Sequence, residues 1–235
     1  MSKLTIHILT LFPGIFESSF KYGVTGRAID KGIITTNPVN IRDSAEDRHG
    51  TVDDTPYGGG SGMIMKPDIL TKSLKSVFKT CKKKNPDVIF LTPQGRKFDQ
   101  SVANKLSISK EFILICGRYR GVDERFRESY VTDELSVGDY VLSGGEPAAI
   151  VLIDVVSRLI PGVLNDFESG IEDSFQDNLL DCPWYTRPKN FEGMDVPDIL
   201  LSGNHDEIYK WRREQALKRT LERRPDLIDP KDIEK

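Results

Sequence analysis

The chain predicts a mostly parallel α/β sheet followed by a small α-helical domain, and three observations carry that reading. Short runs rich in β-forming residues alternate with stretches of helical length through the first part of the chain. A segment at 148–160 is apolar almost all round and stops at Pro161 and Gly162. Beyond residue 173 the texture changes to charge, proline and one long helical pattern.

In order along the chain, residues 4–9, 88–91, 112–116 and 130–135 form the apolar runs. Each is too short for a helix and rich enough in branched and aromatic residues for a strand. Between them, residues 67–79 place Ile69, Leu70, Leu74, Val77 and Phe78 at helical spacing. Residues 148–160 (Ile150, Val151, Leu152, Val155, Val156, Leu159) predict a buried helix. Residues 165–171 show no periodicity and read as part of a linker. The expected organisation is an α/β domain over 1–162, a linker over 163–172 and a helical domain over 173–235. The last contains one clear helix at 207–223.

The composition narrows the function classes. At 235 residues the chain holds one large domain, or one domain and a small one, taking roughly 150 residues per domain. With 38% apolar and 29% charged residues it is neither disordered nor fibrous. Cys81, Cys116 and Cys182 stand far apart with no C-x-x-C pair, and His7, His49 and His205 are equally scattered. Neither a disulfide framework, nor a thiolate zinc site, nor a metal enzyme built on His or Cys ligands is expected. The N-terminal segment is a poor signal peptide. Asp154 and Arg158 interrupt the best apolar run before the ~18 residues of a membrane span. The chain therefore reads as cytoplasmic, with no membrane partner. A net charge of −3 gives no whole-molecule attraction to nucleic acid, so RNA binding requires a local basic patch.

Three predicted strands run into loops of small and polar residues. These are Thr92-Pro93-Gln94-Gly95, Gly117-Arg118-Tyr119-Arg120-Gly121, and the segment from Ser136 to Gly145. Ligands of open α/β sheets bind beyond the carboxyl ends of the strands, and glycine lets a backbone approach a ligand closely. Any one glycine could serve only its own turn; three such loops in one sheet point to a ligand site. No G-x-G-x-x-G occurs, and Pro56-Tyr57-Gly58-Gly59-Gly60-Ser61-Gly62 lacks the lysine of a P-loop.

Arg158 falls inside the apolar helix, four residues after Asp154. That spacing allows an intrahelical ion pair, but burial in so apolar a helix favours a functional role equally. Glu172 and Asp173 suit an acidic first turn of a helix. Arg212, Arg219 and Arg223 share one stripe of the C-terminal helix, the one concentrated basic surface legible in the sequence, with Trp211 as a packing anchor.

Several ordered blocks carry a resemblance. Asp47-Arg48-His49, Asp53-Asp54-Thr55-Pro56-Tyr57-Gly58-Gly59-Gly60, Thr92-Pro93-Gln94-Gly95-Arg96-Lys97 and Cys116-Gly117-Arg118-Tyr119 come first. Gly138-Asp139-Tyr140-Val141-Leu142-Ser143-Gly144-Gly145-Glu146 is the most distinctive. Glu172-Asp173-Ser174-Phe175, Leu180-Asp181-Cys182-Pro183 and Leu201-Ser202-Gly203-Asn204-His205 complete the series. Together they resemble the bacterial tRNA (guanine-N1)-methyltransferase family over nearly the whole chain.

The resemblance implies a SPOUT-type fold whose C-terminal part threads into a trefoil knot made by the three loops. It implies a homodimer with active sites at the subunit interface, and a helical domain that clamps the anticodon arm of tRNA. The methyl donor would be S-adenosyl-L-methionine, held by Leu91, Thr92, Pro93, Gly117, Tyr119, Val137, Gly138, Asp139, Tyr140, Val141, Leu142, Gly144 and Gly145. The reaction would methylate N1 of the guanosine at position 37, with Asp173 as general base and Arg158 stabilising O6. Arg212, Arg219 and Arg223 would touch tRNA phosphates. Two departures stand out. Arg120 replaces an acid linked to a Mg²⁺ requirement, and a guanidinium cannot ligate Mg²⁺; weakened metal dependence, or an Arg120 contact to the donor carboxylate, follows. Pro147 stands one place earlier than usual, leaving Ala148 at the family's proline position. Two further readings fit the same residues: a knotted methyltransferase acting elsewhere on RNA, and an RNA-binding module without turnover.

Overall fold

The computed structural model describes residues 4–164, 173–175 and 177–228, and the chain divides into compact units at 1–165 and 166–235. Most of the predicted linker, with Glu172, lies outside the described residues.

The first unit is built on five parallel strands in the order β2-β1-β6-β5-β7. These are β1 (Leu4–Thr10), β2 (Ile34–Asn40), β5 (Asp87–Lys97), β6 (Glu111–Cys116) and β7 (Asp133–Ser136). A two-residue pair, β3 (Asp53–Asp54) and β4 (Ile64–Met65), stands outside this sheet. Central strands of a parallel sheet are covered on both faces, so they read as continuous apolar runs. Strand β6 is buried at every position. Its Phe112 and Leu114 join Ile6 and Ile8 of β1 in one core, while Ile113 and Ile115 join Leu9 in the other. Helices α1 (Gly14–Ser19), α2 (Gly23–Asp30), α4 (Gln100–Ser107) and α6 (Glu146–Arg158) cover the first face. Helices α3 (Pro67–Phe78) and α5 (Glu124–Tyr130) cover the second.

Local chemistry sets the helix ends. Pro67 opens α3, where a missing N–H costs nothing. The Asp99 carboxylate caps α4 by accepting from the Val102 N–H at 2.9 Å.

Three expectations need correction. Strand β2 is absent from the sequence reading because its one buried residue is Ile34 and it contains Pro38; an edge strand tolerates such a proline. The run at 130–135 starts too early, since Tyr130 closes α5 and β7 begins at Asp133. Helix α6 is not buried all round. Pro147, Val151, Asp154 and Arg158 form one exposed stripe, and Asp154 accepts from the Thr25 hydroxyl at 3.0 Å. Arg158 thus carries no burial cost.

The second unit contains α7 (His205–Arg223) and a short antiparallel ribbon of β8 (Asn190–Phe191) and β9 (Met194–Asp195). Asn204 caps α7. Among the described residues no helix is long and apolar enough to cross a membrane.

At the amino end of the sheet two polar side chains lie within the core. His7 Nε2 is 3.2 Å from Glu111 Oε1, and both residues are 4% exposed. Glu111 Oε2 accepts from the Lys82 and Lys83 backbone N–H groups at 2.8 and 2.7 Å. Burial works to raise the carboxyl pKa, but donation by the Lys83 N–H, His7 and the Lys82 N–H outweighs it and holds Glu111 below its ordinary 4.5. A carboxyl lowered on folding contributes stability that is complete above its unfolded value and is lost as pH falls through its folded value. Wild-type stability should therefore decline on acidification below about 4.5, and Glu111→Gln should be less stable at neutral pH with a shallower acid decline. Urea midpoints over a descending pH series check this; parallel curves would refute it.

Candidate active site

The irregular segment 92–95 within β5, where the sequence pattern ends the strand at Leu91, and the loops following β6 and β7 come from three neighbouring strands and meet at the carboxyl edge of the sheet. They enclose a cavity of about 530 Å³, within the ~300–1,000 Å³ range of small-molecule sites. Leu91, Thr92 and Pro93 line it from the first loop, Gly117 and Tyr119 from the second. From the third come Val137, Gly138, Tyr140, Val141, Leu142, Gly144 and Gly145. Of the sequence-predicted donor residues, Asp139 alone is not among the lining residues. Ala148, in the first turn of α6 behind Pro147, also lines the cavity.

Close backbone approach makes this cradle. The Gly145 N–H donates to the Gly117 carbonyl at 2.9 Å, joining the second and third loops directly. A Cβ on Gly145 would stand 2.7 Å from Cys116 Cα. Strand β5 meets Leu135 of β7 twice, through Leu91 and again through Arg96, so residues 92–95 make an excursion between the two pairings. A Cβ on Gly95 would lie 2.5 Å from the backbone of Glu134 and Leu135. Tyr119 holds a left-handed φ of 60°, the kind of strained backbone that gathers at ligand sites.

A buried charge pair supports the loops from behind. The Glu146 side chain is wholly buried and 2.9 Å from Arg118 Nε, an ion pair short of ideal hydrogen-bond alignment. Glu146 also accepts from the Thr10 hydroxyl at 2.8 Å. The Arg118 guanidinium donates to the Ser143 carbonyl and lies 4.5 Å over the Phe12 ring. Burial, then the Glu146 charge, pushes the neighbouring Cys116 thiol far above its ordinary pKa, which makes it inert packing.

Arg120 also lines the cavity. Its guanidinium donates to the Ser61 carbonyl at 2.8 Å, and its N–H to the Met63 carbonyl. The fourth glycine-rich loop, residues 58–62, is thereby fastened beside the site, a connection that sequence spacing does not reveal.

A larger groove of about 1070 Å³ runs along α3. It shares no lining residue with the three loops. Lys72, Lys75, Lys79 and Arg125 line it together with Asp43 and Asp68.

In the second unit, Asp173, Asp177, Trp184, Tyr209 and Arg212 line a cavity of about 250 Å³. Asp173 is exposed in a bend rather than in a helical first turn. The arginine stripe is only partly free for a ligand. Arg212 stacks 4.3 Å over Trp184, and Arg219 donates to the Asp181 carbonyl at 3.2 Å, whereas Arg223 is exposed. Trp211 packs near Tyr185. Trp184 and Asp181, joined at 2.5 Å, escaped the sequence reading as functional candidates. The signal was present in the aromatic and acidic residues around Cys182.

Sequence spacing also hid one cluster outside these cavities. His7, Cys81 and Glu111 bring their ligating atoms within 4.8 Å of one another. Burial and the Glu111 charge push the Cys81 thiol up to about 11.

The model of the tRNA (Guanine-1)-methyltransferase TrmD family matches residues 4–230. Three relatives each bear the name tRNA (guanine-N(1)-)-methyltransferase. The one from Clostridioides difficile is 51% identical, over 95% of this chain and 97% of that protein. The Dictyoglomus turgidum protein is 52% identical, over 96% and 90%, and that of Salmonella newport 53%, over 95% and 88%.

Removing Arg118 would leave the Glu146 carboxylate buried with Thr10, and breaking a buried pair costs about 3–5 kcal/mol. Arg118→Met should therefore destabilise the protein by about that amount, and Arg118→Met/Glu146→Gln by less. Denaturant unfolding of both variants measures the coupling; additive losses would show that the pair contributes nothing jointly.

Proposed function

The chain belongs to the tRNA (guanine-1)-methyltransferase family, and from that premise we propose that it methylates N1 of the guanosine at position 37 of tRNA, 3′ to the anticodon, with S-adenosyl-L-methionine as donor. The carrying observation is the cavity in which three glycine-bearing loops meet, lined by every expected donor residue except Asp139. Crowding at Gly117 and Gly145, where a Cβ would strike Phe90 and Cys116, fits a cradle that uses backbone rather than side-chain groups. We read these loops as the trefoil knot of the SPOUT fold.

The donor supplies a methyl group already activated by a sulfonium. Backbone N–H and C=O groups of the three loops read its adenine edge and hold it in place, so alignment is their main contribution. Guanine N1 is a poor nucleophile while it carries a proton. Asp173 accepts that proton, and Arg158 offsets the charge that develops on O6. Both side chains are exposed and so accessible to a large substrate. The target base leaves its stack to reach them.

The reading extends to assembly and partners. Val141 is 86% exposed and Val151 49%; apolar surface of this kind suits a homodimer interface beside the site. Arg212, Arg219 and Arg223 would contact phosphates of the anticodon arm, in the cytoplasm where tRNA is processed.

Two experiments test the proposal. Labelled methyl should enter an unmodified tRNA transcript with guanine at position 37 and not one with adenine. Asp173→Asn should lower that rate by at least ~100-fold while donor binding persists. Transfer to both transcripts would place the reaction on another atom, and a near-wild-type Asp173→Asn would exclude it as the base. Separately, replacing all three arginines with glutamine should flatten the salt dependence of tRNA binding, by a slope of roughly 0.7–0.9 per lost phosphate contact. An unchanged slope would return the stripe to intramolecular packing.

A further inference from the structure

We propose that His7, Cys81 and Glu111 form a binding site for one divalent transition-metal ion, Zn²⁺ by ligand type, at the end of the sheet opposite the loop cavity. His7 comes from β1, Glu111 from the first position of β6, and Cys81 from the turn after α3. Thr5 stands opposite Glu111 in the parallel register, so His7, two residues on, projects from the same face. The end of α3 brings the thiol to that face.

Distance, charge and orientation agree. Three atoms no more than 4.8 Å apart share a centre within about 2.8 Å of each, so side-chain adjustments of at most about 0.5–0.8 Å reach Zn²⁺ bond lengths of ~2.0–2.3 Å. Neutral imidazole, thiolate and carboxylate sum to two negative charges, which a divalent ion cancels. Glu111 is a buried carboxylate beside the apolar core, already held by hydrogen-bond donors in an ionised, ligand-ready form. Two backbone N–H groups fix its Oε2 and leave Oε1 turned toward His7, as the supporting contacts of metal-bound carboxylates do. The combination of imidazole and thiolate selects Zn²⁺ over Mg²⁺ or Ca²⁺. Cys81 is partly exposed, which gives the ion a route in and leaves its fourth position to water. On binding, the thiol releases its proton to solvent, the neutral His7 ring carries its proton on Nδ1 so that Nε2 is free to ligate, and the His7–Glu111 contact is exchanged for two bonds to the metal.

Such an ion would pin the α3–β5 turn to β1 and β6, a structural role separate from methyl transfer. The test uses the full-length protein stripped with chelator and titrated with Co²⁺. The expected result is one equivalent bound, with a thiolate-to-cobalt charge-transfer band and the strong visible bands of a four-coordinate site, both bleached by Zn²⁺. Zn²⁺ should raise the melting temperature relative to EDTA. Cys81→Ser should fold, keep its methyl-transfer rate, lose the charge-transfer band and bind Zn²⁺ at least ~100-fold more weakly. His7→Asn should weaken binding similarly while retaining a thiolate band at high Co²⁺. Absence of a stoichiometric band in the parent protein overturns the proposal, as does an undiminished band in Cys81→Ser.

Discussion

Glu146 is the tie on which the carboxyl edge of the sheet depends. It stands at the first turn of α6, where a carboxylate complements the helix dipole. Its two oxygens reach Thr10 at the end of β1 and Arg118 in the loop after β6. Arg118 in turn holds the Ser143 carbonyl of the third loop. One buried anion thus links a strand end, two of the three cavity loops and the helix that follows them. Satisfied, the network fixes a single arrangement of backbone groups around the cavity; half satisfied, it would be worse than an apolar contact.

The glycines complete what that ion pair begins. Gly145 sits against Cys116, and Gly144 against the Arg118 side chain, at distances no Cβ would permit. The ion pair sets where the loops run, and the missing side chains set how near they come. A cavity built this way presents backbone donors and acceptors held by tertiary contacts. That is the preorganisation that the proposed alignment of an activated methyl group would require.

Much of this was legible in the chain. Residues 112–116 are apolar on both faces, and Leu4, Ile6 and Ile8 on one face of the first strand, because these strands lie inside the sheet, and such runs announce themselves. The three strand-to-glycine transitions located the cavity for the same reason: parallel strands place their carboxyl ends together. What escaped has physical causes. Ile34–Asn40 is an edge strand with one buried side chain, so it leaves no pattern. Arg158 seemed costly because its neighbours are apolar, yet it shares an exposed stripe with Pro147, Val151 and Asp154. Arg212 and Arg219 read as part of a basic surface stripe, but their partners Trp184 and Asp181 are distant in sequence. Periodicity reports which face an element buries; it does not report which loop will cross that face.

The two ends of the sheet then divide the polar chemistry. At the carboxyl end, buried polarity is internal to the framework: Thr10, Glu146 and Arg118 hold the cavity from behind while backbone groups face inward. At the amino end, the buried His7 and Glu111 meet beside Cys81. There the Glu111 carboxylate is held by the Lys82 and Lys83 backbone N–H groups and by His7. A charge carried into the core needs either a counter-charge or a ligand. At the carboxyl end Arg118 is the counter-charge; at the amino end backbone N–H groups and His7 hold the carboxylate, and the proposed ion would add Cys81 to that set.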